Sequence, residues 1–291
     1  MDLTKLLYLI EGTAVYRRLL DELRHNASTR VVVLDAAKPY LLASLYQSLR
    51  LPMVVITAQP EKCRRLYEQL QVWSNSSKVQ LLPEPDALPY ERIASDTSTE
   101  QERVQALSAL ANITGETGAP LVVASAPALM QKTITYRDFT STGHTIKVGM
   151  NIEPFELLRK WQAIGYRMEN IVEMPGTISH RGGIIDIYPL TSDLPVRLDF
   201  FGNTIESIRT LDPASQRSLT SLPAIAIGPA TERLTPLKDS ILSFLPQACL
   251  LVLDEPQNIQ QAMDELDAQA NQLRSEKIER GDLPVDSPRP Y

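Results

Sequence analysis

The chain has 291 residues, of which 43% are hydrophobic and 22% charged, a composition typical of a soluble globular protein with more than one domain. Its 29 basic and 35 acidic residues give a net charge of −6, which argues against a broadly basic nucleic-acid surface but leaves room for a local patch. The two cysteines, Cys63 and Cys249, fit no metal spacing, and no apolar run reaches the roughly 18 residues of a membrane span. A cytoplasmic protein with reduced thiols is therefore expected.

The first third of the sequence alternates strand and helix patterns. Buried strands are predicted at residues 30–35, 53–57, 78–83 and 120–125, and helices at 40–50, 60–73 and 98–112. Unbroken apolar runs between helices are typical of a parallel sheet that is covered on both faces. The third of these helices is predicted to begin with a capping box formed by Ser98 and Gln101.

The middle third predicts a different, antiparallel α+β architecture. An amphipathic helix at 155–166 precedes short strands at 169–174, 183–189, 196–201 and 204–212. The pair Gly202-Asn203 between the last two is typical of a hairpin turn. The last third returns to the first pattern, with a buried strand within 249–256 and then a long polar helix with an apolar stripe.

The predicted fold class is therefore α/β, with a small α+β domain inserted into a degenerate P-loop, helicase-like domain that has a parallel sheet. We place the first part of the α/β domain at residues 1–131, the inserted domain at 132–214 and the remainder of the α/β domain at 215–291. The proline-rich end predicts a fragment of a longer protein.

Residues 31–49 have the layout of a phosphate-binding P-loop, with an apolar run, a short loop, a lysine and a helix. Such a loop needs glycines so that backbone N–H groups can surround the phosphates, and a Ser or Thr hydroxyl for Mg²⁺. Asp35, Ala36 and Ala37 stand in the glycine positions, and Pro39, which has neither hydroxyl nor N–H, follows Lys38. The sequence therefore predicts that ATP does not bind here.

The acidic pair Asp254-Glu255 follows an apolar run, as in a Walker B strand that holds Mg²⁺ and water. Without a working phosphate loop we interpret the pair as scaffold, because acids at this place more commonly favour the start of the next helix. The histidines, His25, His144 and His180, have no sequence-local acid or nucleophile. A triad assembled from distant residues is left open, but no pattern points to one, and no catalytic residue, metal or cofactor is predicted.

Three stretches carry a family resemblance. They are the degenerate loop at 35–39, "GTISHRGGIIDIYP" (176–189) with "LPVRLDFFGNTIESIRTLD" (194–212), and "LLVLDEP" (250–256) with "RGDLPVDSPRPY" (280–291). Together they resemble the amino-terminal part of the bacterial transcription-repair coupling factors (Mfd), which is itself similar to the excision-repair protein UvrB. The resemblance covers essentially the whole chain, and the middle stretch is its most specific part.

UvrB itself is the nearer alternative, and the sequence departs from it in two ways. UvrB keeps an intact glycine-rich Lys-Thr loop, whereas this chain reads "DAAKPY" (35–40). UvrB also carries an aromatic-rich hairpin that clamps damaged DNA, for which there is no room between "ALPYERIAS" (87–95) and "DTSTEQERV" (96–104). Both departures are those of the coupling factors, so the resemblance implies a recruitment module.

In the coupling factors the small inserted domain docks the repair protein UvrA, and the resemblance implies the same partner here. We expect Arg181 to pair with a partner carboxylate, since a guanidinium can bind a carboxylate through two hydrogen bonds. Arg167 and Tyr188 are further expected contacts, because interface hot spots favour Arg and aromatic residues. Gly182 and Gly183 are expected to form the turn that presents them.

The neighbouring "RLDFF" (197–201) is interpreted as core, with Phe200 and Phe201 on opposite faces and Arg197 bracing the neighbours of Asp199, so this stretch is left out of the expected site. The main hypothesis is thus a non-catalytic module that recruits UvrA to lesions where RNA polymerase has stalled. The full-length family member would bind polymerase and translocate on double-stranded DNA with ATP through other domains, with no membrane partner. The alternatives are an ATP-dependent, UvrB-like damage-binding subunit and a DNA-binding module.

Overall fold

The computed structural model of this chain describes residues 3–25, 28–74, 79–84, 90, 96–111, 118–287, 289 and 291. Two compact units are present: Met1–Ile93, Thr117–Gln131 and Pro246–Tyr291 form the first, and Ala94–Glu116 with Lys132–Leu245 form the second. No helix in these ranges is long and apolar enough to cross a membrane. Cys63 and Cys249 are both free thiols.

The first unit contains a four-stranded parallel sheet in the order β12–β1–β3–β2. With elements numbered along the whole chain, its strands are β1 (Met53–Thr57), β2 (Val79–Leu82), β3 (Leu121–Ser125) and β12 (Leu250–Leu253). Its helices are α1 (Ala14–Arg24), α2 (Lys38–Leu49), α3 (Pro60–Trp73), α5 (Ala126–Met130) and α8 (Pro256–Glu279), with 3-10 helices at Thr4–Gly12 and Asp35–Ala37. Every residue of β1 and β3 is buried, which explains their unbroken apolar runs.

The predicted strand at 30–35 is wrong. Residues 28–34 form no strand, and Val32 and Leu34 are 96% and 82% exposed. An apolar run has a high strand propensity, but a strand also needs a neighbouring strand for backbone hydrogen bonds and packed side chains that cover its faces. The predicted buried strand at 249–256 is β12, which lies at the edge of the sheet with Leu251 and Leu253 partly exposed.

The second unit contains a six-stranded sheet in the order β10–β9–β8–β7–β6–β5, antiparallel except for the parallel pair β5–β6. Its strands are β5 (Arg167–Met168), β6 (Thr177–Arg181), β7 (Ile184–Tyr188), β8 (Val196–Phe201), β9 (Thr204–Leu211) and β10 (Ser218–Leu222). A two-stranded sheet pairs β4 (His144–Lys147) with β11 (Ala224–Ile227). The helices are α4 (Thr97–Leu110), α6 (Tyr136–Ser141) and α7 (Pro154–Ala163), with a 3-10 helix at Ile241–Phe244. The predicted fold class, a parallel α/β sheet with a separate antiparallel domain, is confirmed.

One face of the six-stranded sheet forms the core of this unit. Ile178, Ile185 and Ile187 on adjacent strands are buried in a cluster that also contains Leu157 and Trp161 of α7. Residues that face this core alternate along β6, β7 and β8 with residues of the opposite face, of which Thr177, Ser179 and Asp186 are polar but also buried. The opposite face of the same sheet therefore carries the polar side chains.

The second unit extends to Leu245, beyond the predicted end of the inserted domain at residue 214, because β10 pairs with β9 and β11 pairs with β4. The predicted strand at 169–174 is a loop that follows the two-residue β5. The N-cap of α4 is Asp96, whose carboxylate accepts a hydrogen bond from the Ser98 N–H, so the predicted capping box is wrong. The expected absence of a UvrB-like hairpin concerns residues 87–104, and positions 87–89 and 91–95 of that stretch lie outside the described residues.

A charged docking face and a degenerate nucleotide site

Three predicted partner contacts lie on one face of the six-stranded sheet. In the strand register Arg167 is opposite Thr177, and Thr177 is opposite Tyr188. Arg181 follows Thr177 by four positions on β6, and residues at even spacing on a strand share a face. Because Ile178 between them packs into the core, this face is the one turned away from α7.

The glycine pair forms the turn between β6 and β7. Arg181 pairs with Ile184, which leaves a two-residue loop, and the φ of Gly182 is +62°. A positive φ at the first loop position fits a hairpin turn and favours glycine. A Cβ on Gly183 would lie 2.9 Å from the Phe200 carbonyl oxygen, so this position has no space for a side chain. The turn fixes Arg181 at the tip of the hairpin.

A buried carboxylate organises the hairpin tip. Asp186 on β7 has a side chain that is 1% exposed, and it accepts hydrogen bonds from Nε and Nη2 of Arg197, each at 2.7 Å. Arg181 Nη2 lies 3.3 Å from Asp186 Oδ2, while the Arg181 side chain is 51% exposed. Two guanidinium groups therefore share one carboxylate, and the cluster keeps an excess positive charge at the surface.

The interpretation of "RLDFF" as core is confirmed for Leu198 and Phe200, and the two phenylalanines lie on opposite faces as predicted, but Phe201 is not part of the core. The pairings Phe200–Ile205 and Phe201–Thr204 follow a β-bulge, Phe200 packs against the core and Phe201 is 76% exposed. Phe201 thus lies at the same end of the sheet as Arg181. Polar–apolar alternation in "VRLD" (196–199) is the signal that could have placed Arg197 outside the core, and the two-residue period of a strand extends the same face to Phe201.

Arg167 and Tyr188 lie at the other end of the face. Four strand residues of about 3.3 Å each separate the Arg167 row from Arg181 by roughly 13 Å. The Tyr188 hydroxyl donates a hydrogen bond to the Asp193 carbonyl at 2.8 Å, and partial burial together with the Asp193 charge raises its pKa. Arg167 is exposed on the edge strand. We use the term docking face for Arg167, Arg181, Tyr188, Arg197 and Phe201.

The predicted degenerate nucleotide site lies in the first unit, and its charged residues pair with one another. Lys38 Nζ is 2.6 Å from Asp35 Oδ1, 2.7 Å from Asp254 Oδ1 and 3.5 Å from Glu255 Oε1. Lys62 Nζ is 3.0 Å from Glu255 Oε2. Burial alone would lower the pKa of Lys38, but its hydrogen bonds to Asp254 and Asp35 outweigh that effect and raise the pKa.

The backbone of this loop also differs from a phosphate cradle. Asp35, Ala36 and Ala37 form one short 3-10 turn that leads directly into α2, with Pro39 buried in the first turn of that helix. Glu255 has a left-handed conformation with φ 59°, a strained arrangement for a residue other than glycine. The lysine that would bind a phosphate is thus neutralised by carboxylates of its own chain.

Comparison with known proteins identifies relatives over most of the chain. Residues 145–232 match the family model described as the UvrB interaction domain, which includes the whole docking face. A transcription-repair-coupling factor of Myxococcus xanthus is 33% identical over 228 residues, which is 76% of this chain and 19% of that protein. That of Bacillus subtilis (strain 168) is 32% identical over 197 residues, 68% of this chain and 16% of that protein. The chain spans about a fifth of the length of the curated relatives it matches.

Proposed function

From the premise that this chain is related to the transcription-repair-coupling factors and carries a UvrB interaction domain, we propose that it is a non-catalytic module that binds UvrA. Through that contact it recruits the excision-repair machinery to sites of stalled RNA polymerase. In the longer protein, RNA polymerase and double-stranded DNA are bound by other domains, which also supply an ATP-dependent translocase. The location we infer from this role is the cytoplasm.

The observation that carries the proposal is the docking face within the matched residues 145–232. At one end of this face, the exposed ring of Phe201 on β8 lies at the same end of the sheet as Arg181 at the tip of the β6–β7 hairpin. The Arg181 guanidinium is hydrogen-bonded to Asp186 and therefore needs little ordering on binding. Arg197 adds a second guanidinium to the same cluster. The chemistry of this tip suits a partner that offers a carboxylate beside an apolar pocket. Arg167, at the far end of the face, is a further proposed contact.

The ion pairs of the degenerate nucleotide site support a non-catalytic role. A UvrB-like ATP-dependent subunit requires Lys38 to bind phosphate, but Lys38 is held by Asp35 and Asp254 at 2.6 and 2.7 Å. A nucleotide would have to displace these carboxylates and then face their repulsion. The proposal therefore includes no ATP turnover by this part of the protein, and an ATPase assay of the chain tests it directly.

The decisive experiment is a calorimetric titration of the chain with UvrA. Arg181→Ala and Phe201→Ala should each weaken binding by about tenfold or more, roughly 1.4 kcal/mol. Arg159→Ala is the matched control, since Arg159 on α7 is 74% exposed and lies outside the docking face. Binding that survives both docking-face substitutions would place the contact elsewhere, and wild-type chain that fails to bind UvrA would overturn the proposed function.

DNA binding by the chain itself is the alternative function that must be distinguished from UvrA binding. The net charge of −6 gives no general attraction for phosphates. A gel-shift titration with double-stranded DNA at low and high salt should show no complex of comparable affinity to that with UvrA.

A further inference from the structure

We propose that Asp186, which is itself held by Arg197, is a positioning residue that orients Arg181 as the receptor for a carboxylate on the partner. This inference rests on the proposed function, because the partner is UvrA. It goes beyond that function by assigning a role to a side chain that is 1% exposed and so has almost no surface for a direct contact. Asp186 acts on the partner through Arg181, the more exposed of the two arginines that it binds.

The hydrogen bonds and the exposure of the two arginines indicate different roles for them. Arg197 donates from Nε and Nη2 to the two carboxylate oxygens of Asp186, so the buried charge already has a bidentate partner. Its side chain is 15% exposed. Arg181 adds only one longer hydrogen bond, at 3.3 Å, and keeps half of its side chain at the surface. The third hydrogen bond therefore contributes direction to the exposed guanidinium more than it contributes to the stability of the sheet.

The charges along this face indicate what the cluster would bind. Asp199, on the next strand, accepts hydrogen bonds from Ser207 and from Arg209, and these lower its pKa although burial alone would raise it. At the Arg181 end of the face, away from Arg167, three arginines at positions 181, 197 and 209 thus stand against two aspartates at positions 186 and 199. One further carboxylate balances the face, and the half-exposed Arg181 is where it can enter.

Pre-orientation matters because an arginine side chain has many rotamers in solution. A guanidinium that is already tied by one edge loses less conformational freedom when its other edge binds a ligand. Removing the Asp186 charge weakens its contacts with both arginines, but Arg197 keeps its hydrogen bond to the Gln216 carbonyl, whereas Arg181 is released to move. The effect on the partner should therefore appear only while Arg181 is present.

A double-mutant cycle with UvrA tests this dependence. Asp186→Asn keeps the size of the side chain and removes its charge, and it should weaken UvrA binding by about tenfold in the wild-type background. In the Arg181→Ala background the same substitution should change the affinity by less than about twofold, while the loss of thermal stability stays the same in both backgrounds. Equal losses of affinity in the two backgrounds, or none in the first, would overturn the positioning role.

Two further measurements keep the test decisive. If Asp186→Asn does not fold, Arg181→Lys takes its place: it keeps the charge but not the planar fork, and affinity equal to wild type would refute the need for orientation. If the wild-type chain does not bind UvrA, the proposed function is refuted. In that case NMR relaxation of the Arg181 Nε–H group, which reports the motion of this side chain, tests the positioning role alone. Restricted motion that is lost in Asp186→Asn supports it, and equal motion in both proteins refutes it.

Discussion

Lys38 is expected to act as a structural cation, and replacing it measures that role. Lys38→Met removes the ammonium group and keeps an unbranched side chain of similar reach. The main loss is the contact at 2.7 Å with Asp254, whose side chain is only 19% exposed. Asp35 is 84% exposed and contributes little, because water screens its charge. Glu255 keeps its contact with Lys62.

The magnitude follows from these exposures. A hydrogen bond between charged, partly buried groups contributes about 1.5–3 kcal/mol, and the exposed pair adds no more than about 1 kcal/mol. Together these contributions amount to about 1.5–4 kcal/mol, which for a unit of this size corresponds to a fall in melting temperature of roughly 3–16 °C. Differential scanning calorimetry of the whole chain measures this shift. Lys62→Met is the control, and its effect should stay within about 1 kcal/mol because its side chain is 38% exposed.

The same calorimetry distinguishes a structural lysine from a phosphate ligand. A nucleotide at about 100 times its dissociation constant stabilises the folded state by about 2.7 kcal/mol. Millimolar Mg-ATP should therefore leave the melting temperature of both wild type and Lys38→Met unchanged. The reasoning is refuted by a Lys38→Met protein as stable as wild type, or by Mg-ATP that stabilises wild type and not the variant.

Two further predictions concern the second unit. The indole N–H of Trp161 donates to His144 Nε2 at 3.0 Å, and burial lowers the pKa of His144. In the unfolded chain His144 has its ordinary pKa of 6.5 and takes up a proton first, so the stability of the unit should fall as the pH drops below that value. Urea unfolding followed by the fluorescence of Trp161 in a Trp73→Phe background should show the fall, and His144→Gln, which keeps an acceptor, should flatten it. Gly183→Ala should destabilise the unit by about 1–3 kcal/mol because its Cβ would lie 2.9 Å from the Phe200 carbonyl oxygen. Gly182→Asn, with open space and a left-handed φ that Asn tolerates, should cost less than half as much in the same denaturation assay, and equal costs would contradict the role of the close approach.

Sequence patterns predicted an element well where local composition and a tertiary partner agree. The helix predicted at 60–73 is α3, with Pro60 at its first turn, and the strand at 53–57 is β1, which has neighbours on both sides. The run "VVVL" (31–34) has almost the same composition as β1 but forms no strand. Pairing depends on which edge of the sheet is close by, and a one-dimensional pattern does not contain that information.

The candidate site shows the same division between local and long-range information. The turn at Gly182-Gly183 was predictable, because glycine preference is a property of the local backbone. The role of Arg197 was not, because its partner Asp186 is eleven positions away and becomes its neighbour only through the register of β7 with β8. The alternation of polar and apolar residues along β8 predicts that Arg197 faces away from the core, but it does not predict that Asp186 is its partner.

Each of the two charged clusters pairs basic with acidic side chains, but their net charges have opposite signs. At the degenerate nucleotide site two lysines, 38 and 62, stand against three carboxylates, 35, 254 and 255, so the cluster is negative and repels a phosphate. At the hairpin tip two arginines, 181 and 197, stand against the single buried carboxylate of Asp186, so the cluster is positive and one guanidinium reaches solvent. The negative cluster disfavours a bound nucleotide, and the positive cluster has an exposed guanidinium that can bind a carboxylate. This difference supports the proposal of an acidic partner over nucleotide chemistry. A charge-balanced tip, made for example by Ile184→Glu opposite Arg181 in the register, should therefore lose UvrA binding even though every proposed contact residue remains.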